Sequence, residues 1–312
     1  MSVKKDKSRE LIEDALKHLY DCEYKVIDCT LNSMSGNLSL SGDKTTEVIS
    51  KLEAMNLISL RENKIILTPE GRSYALRIVR IHRLWERYLA DNTSTKETEW
   101  HQIAEVKEHK TSDDDVKKLA AHLGNPLIDP HGDPIPSERG EIPTRKGIEL
   151  NNIENGTFAT IIHIEDEPKE VFAQFSALGL YPGMQIYLIE NSKERIRFEA
   201  DGNECLLAPI LASNITVIPI SEKEEVRESF ETLSSLKQDE EAMIVGISKA
   251  MRGQQRRRML DYGIVPGTIV RAQLKSLSGD PVAYDIRGAM IALRKNQSDL
   301  IYIKRVRNYT KE

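Results

Sequence analysis

The chain reads as a mainly α-helical N-terminal half followed by two small β-barrels in tandem. Three observations predict this division. Apolar residues recur at helical spacing through most of the first 123 residues, a Pro/Gly-dense stretch follows at 124–143, and a pattern repeats itself beyond that point.

Residues 8–22 carry Leu11, Ile12, Ala15, Leu16 and Leu19 on one face of a predicted helix with Ser8 as N-cap, while Glu13 and Asp14 lie off that stripe. The Ser/Asn-rich 27–40 holds a short helix beginning near Thr30. Ser41-Gly-Asp43 then turns the chain into a helix over 46–56, with Val48, Ile49, Leu52 and Met55 at core spacing. Two apolar runs, 57–60 and 65–67, are joined by Arg61-Glu-Asn-Lys64 as a hairpin. Thr68-Pro69 restarts a helix in the order cap, then proline at the first turn. Helix, turn, helix, hairpin and helix is the plan of a winged helix-turn-helix, whose second helix enters the DNA major groove. The same pattern also fits a small α+β module with no nucleic-acid role. If DNA is the partner, Ser41, Lys44, Thr45 and Thr46 at the helix start, with Lys51 further along, are placed for phosphates or base edges. Arg61 and Lys64 would let the wing grip the backbone.

The next helices carry the chemistry. Long helices are expected over 73–92 and 100–109, and a third over 113–123 behind a Thr111-Ser112 cap. His101, Glu105, Glu108 and His109 stand at i, i+4, i+7 and i+8, within roughly 100° of one helix face. His82 and Glu86, four apart, share a face of the preceding helix. Packed together, the two faces would gather three histidines and three carboxylates, a concentration of charge that a divalent cation relieves. Solvent-facing His/Glu pairs are the plainer account of the same spacing. The Pro/Gly stretch at 124–143, with Asp-Pro-His-Gly-Asp-Pro-Ile-Pro at 129–136, reads as an extended connector rather than a packed element.

Beyond it, Leu178-Gly-Leu-Tyr-Pro-Gly-Met184 and Tyr262-Gly-Ile-Val-Pro-Gly-Thr268 match in pattern, their prolines, Pro182 and Pro266, 84 residues apart. Each Pro-Gly suits a type II turn before a strand. In each copy a strand (158–164; 242–247) leads to a helix, the turn, and several alternating strands. The polar 221–240 separates the copies. Arg252, Arg256, Arg257 and Arg258 in the second copy form either a solvated basic face or a contact for DNA phosphate or an acidic partner.

Composition narrows the partners. With 44 Lys+Arg against 49 Asp+Glu in 312 residues, the net charge is -5, so any DNA affinity must be local. Three cysteines, Cys22, Cys29 and Cys205, make no disulfide framework, and no pair has zinc-finger spacing. A reduced, cytoplasmic protein is expected, with neither a secretion signal nor a membrane span. No nucleophile motif or Gly-rich phosphate loop accompanies the His/Glu cluster, so regulation suits it better than a metal-dependent hydrolase.

Several motifs in order carry a more specific reading: Ser-Gly-x-x-Thr-Thr at 41–46, Leu-Thr-Pro-Glu-Gly-Arg at 67–72, His-Arg-Leu-x-Glu-Arg at 82–87, Glu108-His109, and Gly-Asp-Pro-Ile-Pro at 132–136. Over roughly 8–136 the chain resembles the diphtheria-toxin-repressor (iron-dependent repressor) family, which includes the manganese transport regulators. The two repeats resemble FeoA-type SH3-like domains. The resemblance implies four domains: a winged helix-turn-helix at 1–72, a helical metal-binding and dimerisation domain at 73–143, and FeoA-like domains at 144–221 and 222–312. It implies a homodimer that binds double-stranded operator DNA when loaded with metal and represses metal-uptake genes. It places the principal metal site on Asp14, Glu105, Glu108 and His109. His82, Glu86 and His101 form an ancillary site in the iron branch, whereas His82 joins the principal cluster in the manganese branch. Asp14 and Glu105 stand where the iron branch has Met and Cys, and such hard oxygen donors favour Mn²⁺, with Fe²⁺ the alternative. Two departures stand out: Lys17 occupies the position of a second carboxylate of the manganese branch, and 27–40 lacks the usual Ala-rich pattern. A different function, an FeoA-type interaction adaptor or sensor with weak or no DNA binding, draws on the base-poor recognition helix, where Asp43, Glu47 and Glu53 offset the lysines.

Overall fold

The structure, a computed structural model, describes residues 2–62, 64–144, 146–200, 203–220, 231–248 and 250–305, with side chains from residue 7. Asn63 in the expected hairpin turn and the first ten residues of the expected linker, 221–230, lie outside the described residues. The chain divides into two compact units, Met1–Tyr88 with Glu99–Arg145 and Leu89–Thr98 with Lys146–Glu312.

The first unit opens with α1 (Ser2–Tyr24), which already includes Ser8, so Ser8 is an interior helical residue and not the N-cap expected of it. Next come α2 (Leu31–Asn37), capped by the Thr30 hydroxyl on the Ser33 N–H, and α3 (Gly42–Ala54). The hairpin β1 (Ile58–Arg61) and β2 (Lys64–Leu67) pairs Ile58 with Leu67 and Arg61 with Lys64. Leu16, Met34, Leu52 and Ala75 are wholly buried in the core these elements share. Thr45 is also fully buried, whereas Met55, expected in the core, is about half exposed at the helix end. A methyl at position 45 packs well because its hydroxyl is satisfied twice, by the Ser35 hydroxyl and by the Ser41 carbonyl.

One helix, α4 (Pro69–Asn92), joins the start expected at Thr68-Pro69 to the long helix expected over 73–92. The Thr68 hydroxyl accepts from the Gly71 N–H and donates to the Asn56 carbonyl, so one side chain caps the helix and ties it to the hairpin. Gly71 is required by proximity: a Cβ there would meet the Leu57 carbonyl oxygen at 1.8 Å. Then follow α5 (Trp100–Glu108) and α6 (Asp113–His122), the latter capped by Ser112 on the Asp115 N–H. Ile78, Ile81 and Leu84 of α4 form a second core with Val116, Leu119, Ala120 and Ile135.

Ile135 belongs to the stretch expected to be an extended connector, which is instead packed. Asp129, His131 and Ile135 are almost fully buried. One Asp129 carboxylate oxygen accepts from the backbone N–H groups of His131, Gly132 and Asp133. Arg80 and Arg83 donate to the Pro136 and Pro134 carbonyls. Prolines supply no N–H that burial would strand, so a Pro-rich loop can be packed once its carbonyls find donors.

The second unit holds the repeat. Its first copy is β3 (Ile148–Glu149), β4 (Phe158–Ile164), α7 (Lys169–Ala177), β5 (Gln185–Asn191), β6 (Ile196–Ala200), β7 (Asn203–Leu207), α8 (Pro209–Ala212) and β8 (Ile215–Pro219). Its second is β9 (Glu231–Thr232), β10 (Glu241–Ile247), α9 (Gly253–Asp261), β11 (Ile269–Lys275), β12 (Val282–Ile286), β13 (Ala289–Leu293), α10 (Lys295–Ser298) and β14 (Ile301–Arg305). Both form six-stranded antiparallel sheets of the same order, β3-β8-β4-β5-β6-β7 and β9-β14-β10-β11-β12-β13. The two Pro-Gly pairs make the turns expected of them: Met184 N–H donates to the Tyr181 carbonyl and Thr268 N–H to that of Val265, with Gly183 and Gly267 at φ 95 and 89. Residues 89–98 join this unit through the Ser176 hydroxyl on Glu97 and the Ser94 hydroxyl on Gln254. In α9, Arg256 donates to the carbonyls of Ile247 and Ser248, which absorbs it into the fold, while Arg257 and Arg258 are exposed.

Candidate metal centre and DNA-facing helix

Three helices of the first unit converge on Glu108. His82 and Glu86 project from one face of α4, and His101, Glu105 and Glu108 from α5, with His109 at its C-cap. From α1 come Glu13, Asp14 and Lys17, whose spacing puts Asp14 and Lys17 on adjacent turns. His82, Glu86 and Glu108 are buried, at 6%, 1% and 1% exposure, and so is Glu13 at 3%.

Charges so placed must be paired, and they are. The two ring nitrogens of His82 lie 2.5 Å from Glu108 Oε2 and 3.1 Å from Glu86 Oε1. His101 Nδ1 is 3.5 Å from the same Glu86 oxygen, and its Nε2 is 3.6 Å from Glu105. His109 meets Glu13 through Nδ1 at 2.6 Å, and Asp14 and Glu108 through Nε2 at 3.1 and 3.6 Å. Lys17 Nζ closes the network, 2.9 Å from Glu108 and 3.6 Å from Glu105.

Two sets of donors are close enough to share an ion. One atom each from Asp14, Glu108 and His109 lies within 4.8 Å of the others, and the same holds for His82, Glu86 and His101. Because Glu108 touches both His82 and His109, the two sets form one continuous network. Glu105, grouped by the resemblance with Asp14, Glu108 and His109, sits at the rim, about half exposed and facing His101 and Lys17. The donors are carboxylate oxygen and imidazole nitrogen, a chemistry that fits Mn²⁺ or Fe²⁺.

Protonation follows from this crowding. Burial opposes the His109 imidazolium, but hydrogen bonds to Asp14 and Glu13 and the Glu108 charge outweigh it and lift it to about 10. Burial likewise opposes charged His82, and the charges of Glu86 and Glu108 again raise it. Burial pushes Glu108 up, yet His82 and Lys17 hold it below the usual carboxylate range. The hydrogen bond from His101 takes Glu105 down to about 2. Imidazolium protons and Lys17 supply the countercharge to the carboxylates of this network.

Sequence reasoning missed Glu13, which is held by both the Tyr74 hydroxyl at 2.8 Å and His109. It also missed His131, buried 3.8 Å from Glu86. Glu13 sits beside an apolar stripe and reads as solvent-facing until α5 is placed over it. The Pro/Gly context hid His131.

Most of the residues expected to meet DNA are exposed. Ser41, Lys44, Thr46 and Lys51 are exposed along α3, and Arg61 and Lys64 on the hairpin. Thr45 is not available: it is wholly buried with its hydroxyl engaged in the core, so its place in the DNA-contacting set is withdrawn. Lys64 is paired with Asp28 at 2.8 Å.

Comparison with known proteins agrees with this geometry. The model described as "Iron dependent repressor, metal binding and dimerisation domain" matches residues 68–137, and that of the FeoA domain matches 148–219 and 231–305. The iron-dependent repressor IdeR of Mycobacterium leprae is 25% identical over 208 residues, spanning 62% of this chain and 90% of that protein. A solved structure of a manganese-dependent transcriptional repressor is 30% identical with a TM-score of 0.52, covering 57% of this chain and 94% of that one. The chain belongs to the iron-dependent repressor family. Another solved member, a manganese-dependent transcriptional repressor in complex with manganese, has a TM-score of 0.62 at 29% identity and covers 67% of this chain and 99% of that one. Among the described residues no helix is long and apolar enough to cross a membrane.

An ion that takes the His109 nitrogen must displace its proton, so Mn²⁺ affinity is expected to rise about tenfold per pH unit for each imidazolium displaced. That rise levels off only as the pH nears about 10. The same raised value means that the His109 pairs stabilise the metal-free chain fully below about pH 6.5 and cease to do so as pH climbs through about 10. Calorimetry in buffers of differing protonation enthalpy reads the protons released, and an affinity independent of pH would contradict the assignment. Replacing Lys17 with Met removes a cation 2.9 Å from Glu108. Mn²⁺ affinity should then rise by roughly ten- to a hundredfold, the scale of one like charge at short range in a partly screened site. The metal-free thermal midpoint should fall, because Glu108 loses a buried partner. A weakened Mn²⁺ affinity in Lys17→Met would show that Lys17 does not compete for Glu108.

Proposed function

We propose that this protein is a metal-dependent transcriptional repressor that binds operator DNA as a homodimer, with Mn²⁺ as the activating ion, Fe²⁺ as the alternative, and metal-uptake genes as its targets. The observation that carries this reading is the arrival of α1 side chains, Asp14 and Glu13, at His109 on α5. One helix of the winged-helix core and one helix of the metal-binding segment thus meet in a single charged network.

A bound divalent cation supplies the positive centre that these carboxylates otherwise take from protons and Lys17. The chain's own groups do the coupling. Asp14 holds α1 to the C-terminal end of α5, Glu108 connects His109 to His82 on α4, and Glu86 extends the contact to His101. Fixing α1 fixes α3, which packs on the same core. In a dimer the two α3 helices must match operator half-sites about one helical turn, ~34 Å, apart. Loss of freedom at α1 therefore appears as DNA affinity, and a coupling of about 1–3 kcal/mol corresponds to roughly 5- to 150-fold.

Manganese is preferred over iron because the cluster offers oxygen and nitrogen donors and no sulfur. Residues 1–72 and 73–143 act as the DNA-binding and the metal-binding, dimerising segments, and the FeoA-type domains follow them in sequence at 144–221 and 222–312. The exposed Ser41, Lys44, Thr46 and Lys51, with Arg61 and Lys64, contact the operator. Repressors of this kind work in the cytoplasm, and no catalytic step is assigned to the cluster.

The test is a gel shift on the DNA upstream of the protein's own gene, at fixed salt, with and without Mn²⁺. Mn²⁺ should tighten binding by roughly 5- to 150-fold, and Glu108→Gln should remove that gain while circular dichroism shows an intact helical fold. Equal DNA affinity with and without both Mn²⁺ and Fe²⁺ would refute the reading.

A further inference from the structure

A second cluster of side chains able to ligate a metal lies in the first unit, of different chemistry from the group around Glu108. His18 and Cys22 stand one turn apart on α1, and Cys29 sits two residues before α2. One donor atom from each lies within 4.8 Å of the other two. Cys22 Sγ is 3.6 Å from His18 Nε2, and that nitrogen is 2.8 Å from the Ser33 hydroxyl, itself 4.0 Å from Cys29 Sγ. Both thiols are free and buried, at 2% and 4% exposure.

We infer that His18, Cys22 and Cys29 form a second metal site, specific for a thiophilic divalent cation of the Zn²⁺ class. Sulfur lies about 2.3 Å and imidazole nitrogen about 2.0–2.1 Å from tetrahedral zinc, which sets an S···N edge of about 3.5 Å. The Cys22–His18 pair already stands at 3.6 Å. Two thiolates and an imidazole suit Zn²⁺ and reject Mn²⁺, which gains little from sulfur. The Glu108 network has the reverse preference for hard ions, so the two sites sort metals by ligand type. A disulfide would use only the two sulfurs and not His18 Nε2.

The site's position gives it a structural consequence. Cys29 is anchored by its carbonyl to the Ile65 N–H of β2 at 3.0 Å, and Thr30 and Ser33 begin α2. A metal held by His18, Cys22 and Cys29 would cross-link α1 to the entry of the helix-turn-helix. The sequence spacing, six residues between the cysteines with the histidine upstream, matches no zinc-finger pattern. Only the fold brings the three together.

Co²⁺ is a suitable probe, because thiolate-to-Co²⁺ charge transfer absorbs in the near ultraviolet and carboxylate or imidazole ligation does not produce it. The full-length chain, reduced and stripped of metal, should develop that band on Co²⁺ addition. Stoichiometric Zn²⁺ should bleach it, and excess Mn²⁺ should not. Cys22→Ser and Cys29→Ser should abolish the band, His18→Gln should weaken Co²⁺ binding at least tenfold, and Cys205→Ser should leave it unchanged. Since buried Cys→Ser changes can impair folding, the wild-type spectrum is decisive by itself. No thiolate band in the wild-type chain overturns the inference. So does a band that survives in the Cys22→Ser/Cys29→Ser chain, or a pair of thiols that Zn²⁺ fails to protect from peroxide oxidation to a disulfide.

Discussion

A buried carboxylate cannot stay ionised without partners, and the arrangement of this protein's first unit follows from how Glu108 finds them. It is 1% exposed and takes its partners from three directions: His82 on α4, Lys17 on α1, and its own neighbour His109. Desolvating such a group is costly enough that removing any one partner leaves a strongly unfavourable charge behind. The N-terminal α1 and the consecutive helices α4 and α5 are therefore held in register by electrostatics as well as by apolar packing. An ion entering that network takes over a balance the fold has already set up.

The same reasoning explains why these side chains lie against one another. His109 keeps its proton to about pH 10 because Asp14, Glu13 and Glu108 surround it. Lys17 stands where the manganese branch of the family is expected to carry a carboxylate. Protons and a lysine thus imitate a cation, and a real one must outcompete them. Such competition sets a threshold, which suits a sensor that should respond only above a given metal level.

Much of the architecture was readable beforehand, because it is written in short-range signals. The Thr68-Pro69 cap, the paired apolar runs of the hairpin and the twin Pro-Gly turns each fix local backbone geometry, and each appears as expected. Spacing of i, i+4 correctly put His82 with Glu86 and His101 with Glu105. What escaped depends on packing between distant segments. Glu13 and His131 are buried only because other elements cover them, and Thr45 left the DNA face because Ser35 offered its hydroxyl a partner in the core. Residues 129–136 looked like a linker because Pro and Gly usually mark one. Asp129, Arg80 and Arg83 supply the hydrogen bonds that let them pack instead.

The central claim is that a divalent cation binds among the side chains around Glu108 and joins α1 to α4 and α5. Anomalous diffraction at the manganese absorption edge, from crystals of the full-length chain grown with Mn²⁺, tests it most directly. The account predicts an anomalous peak in contact with Glu108 and at least one of His82 and His109. Crystals whose manganese lies elsewhere, or which hold none while Lys17 remains on Glu108, would contradict it.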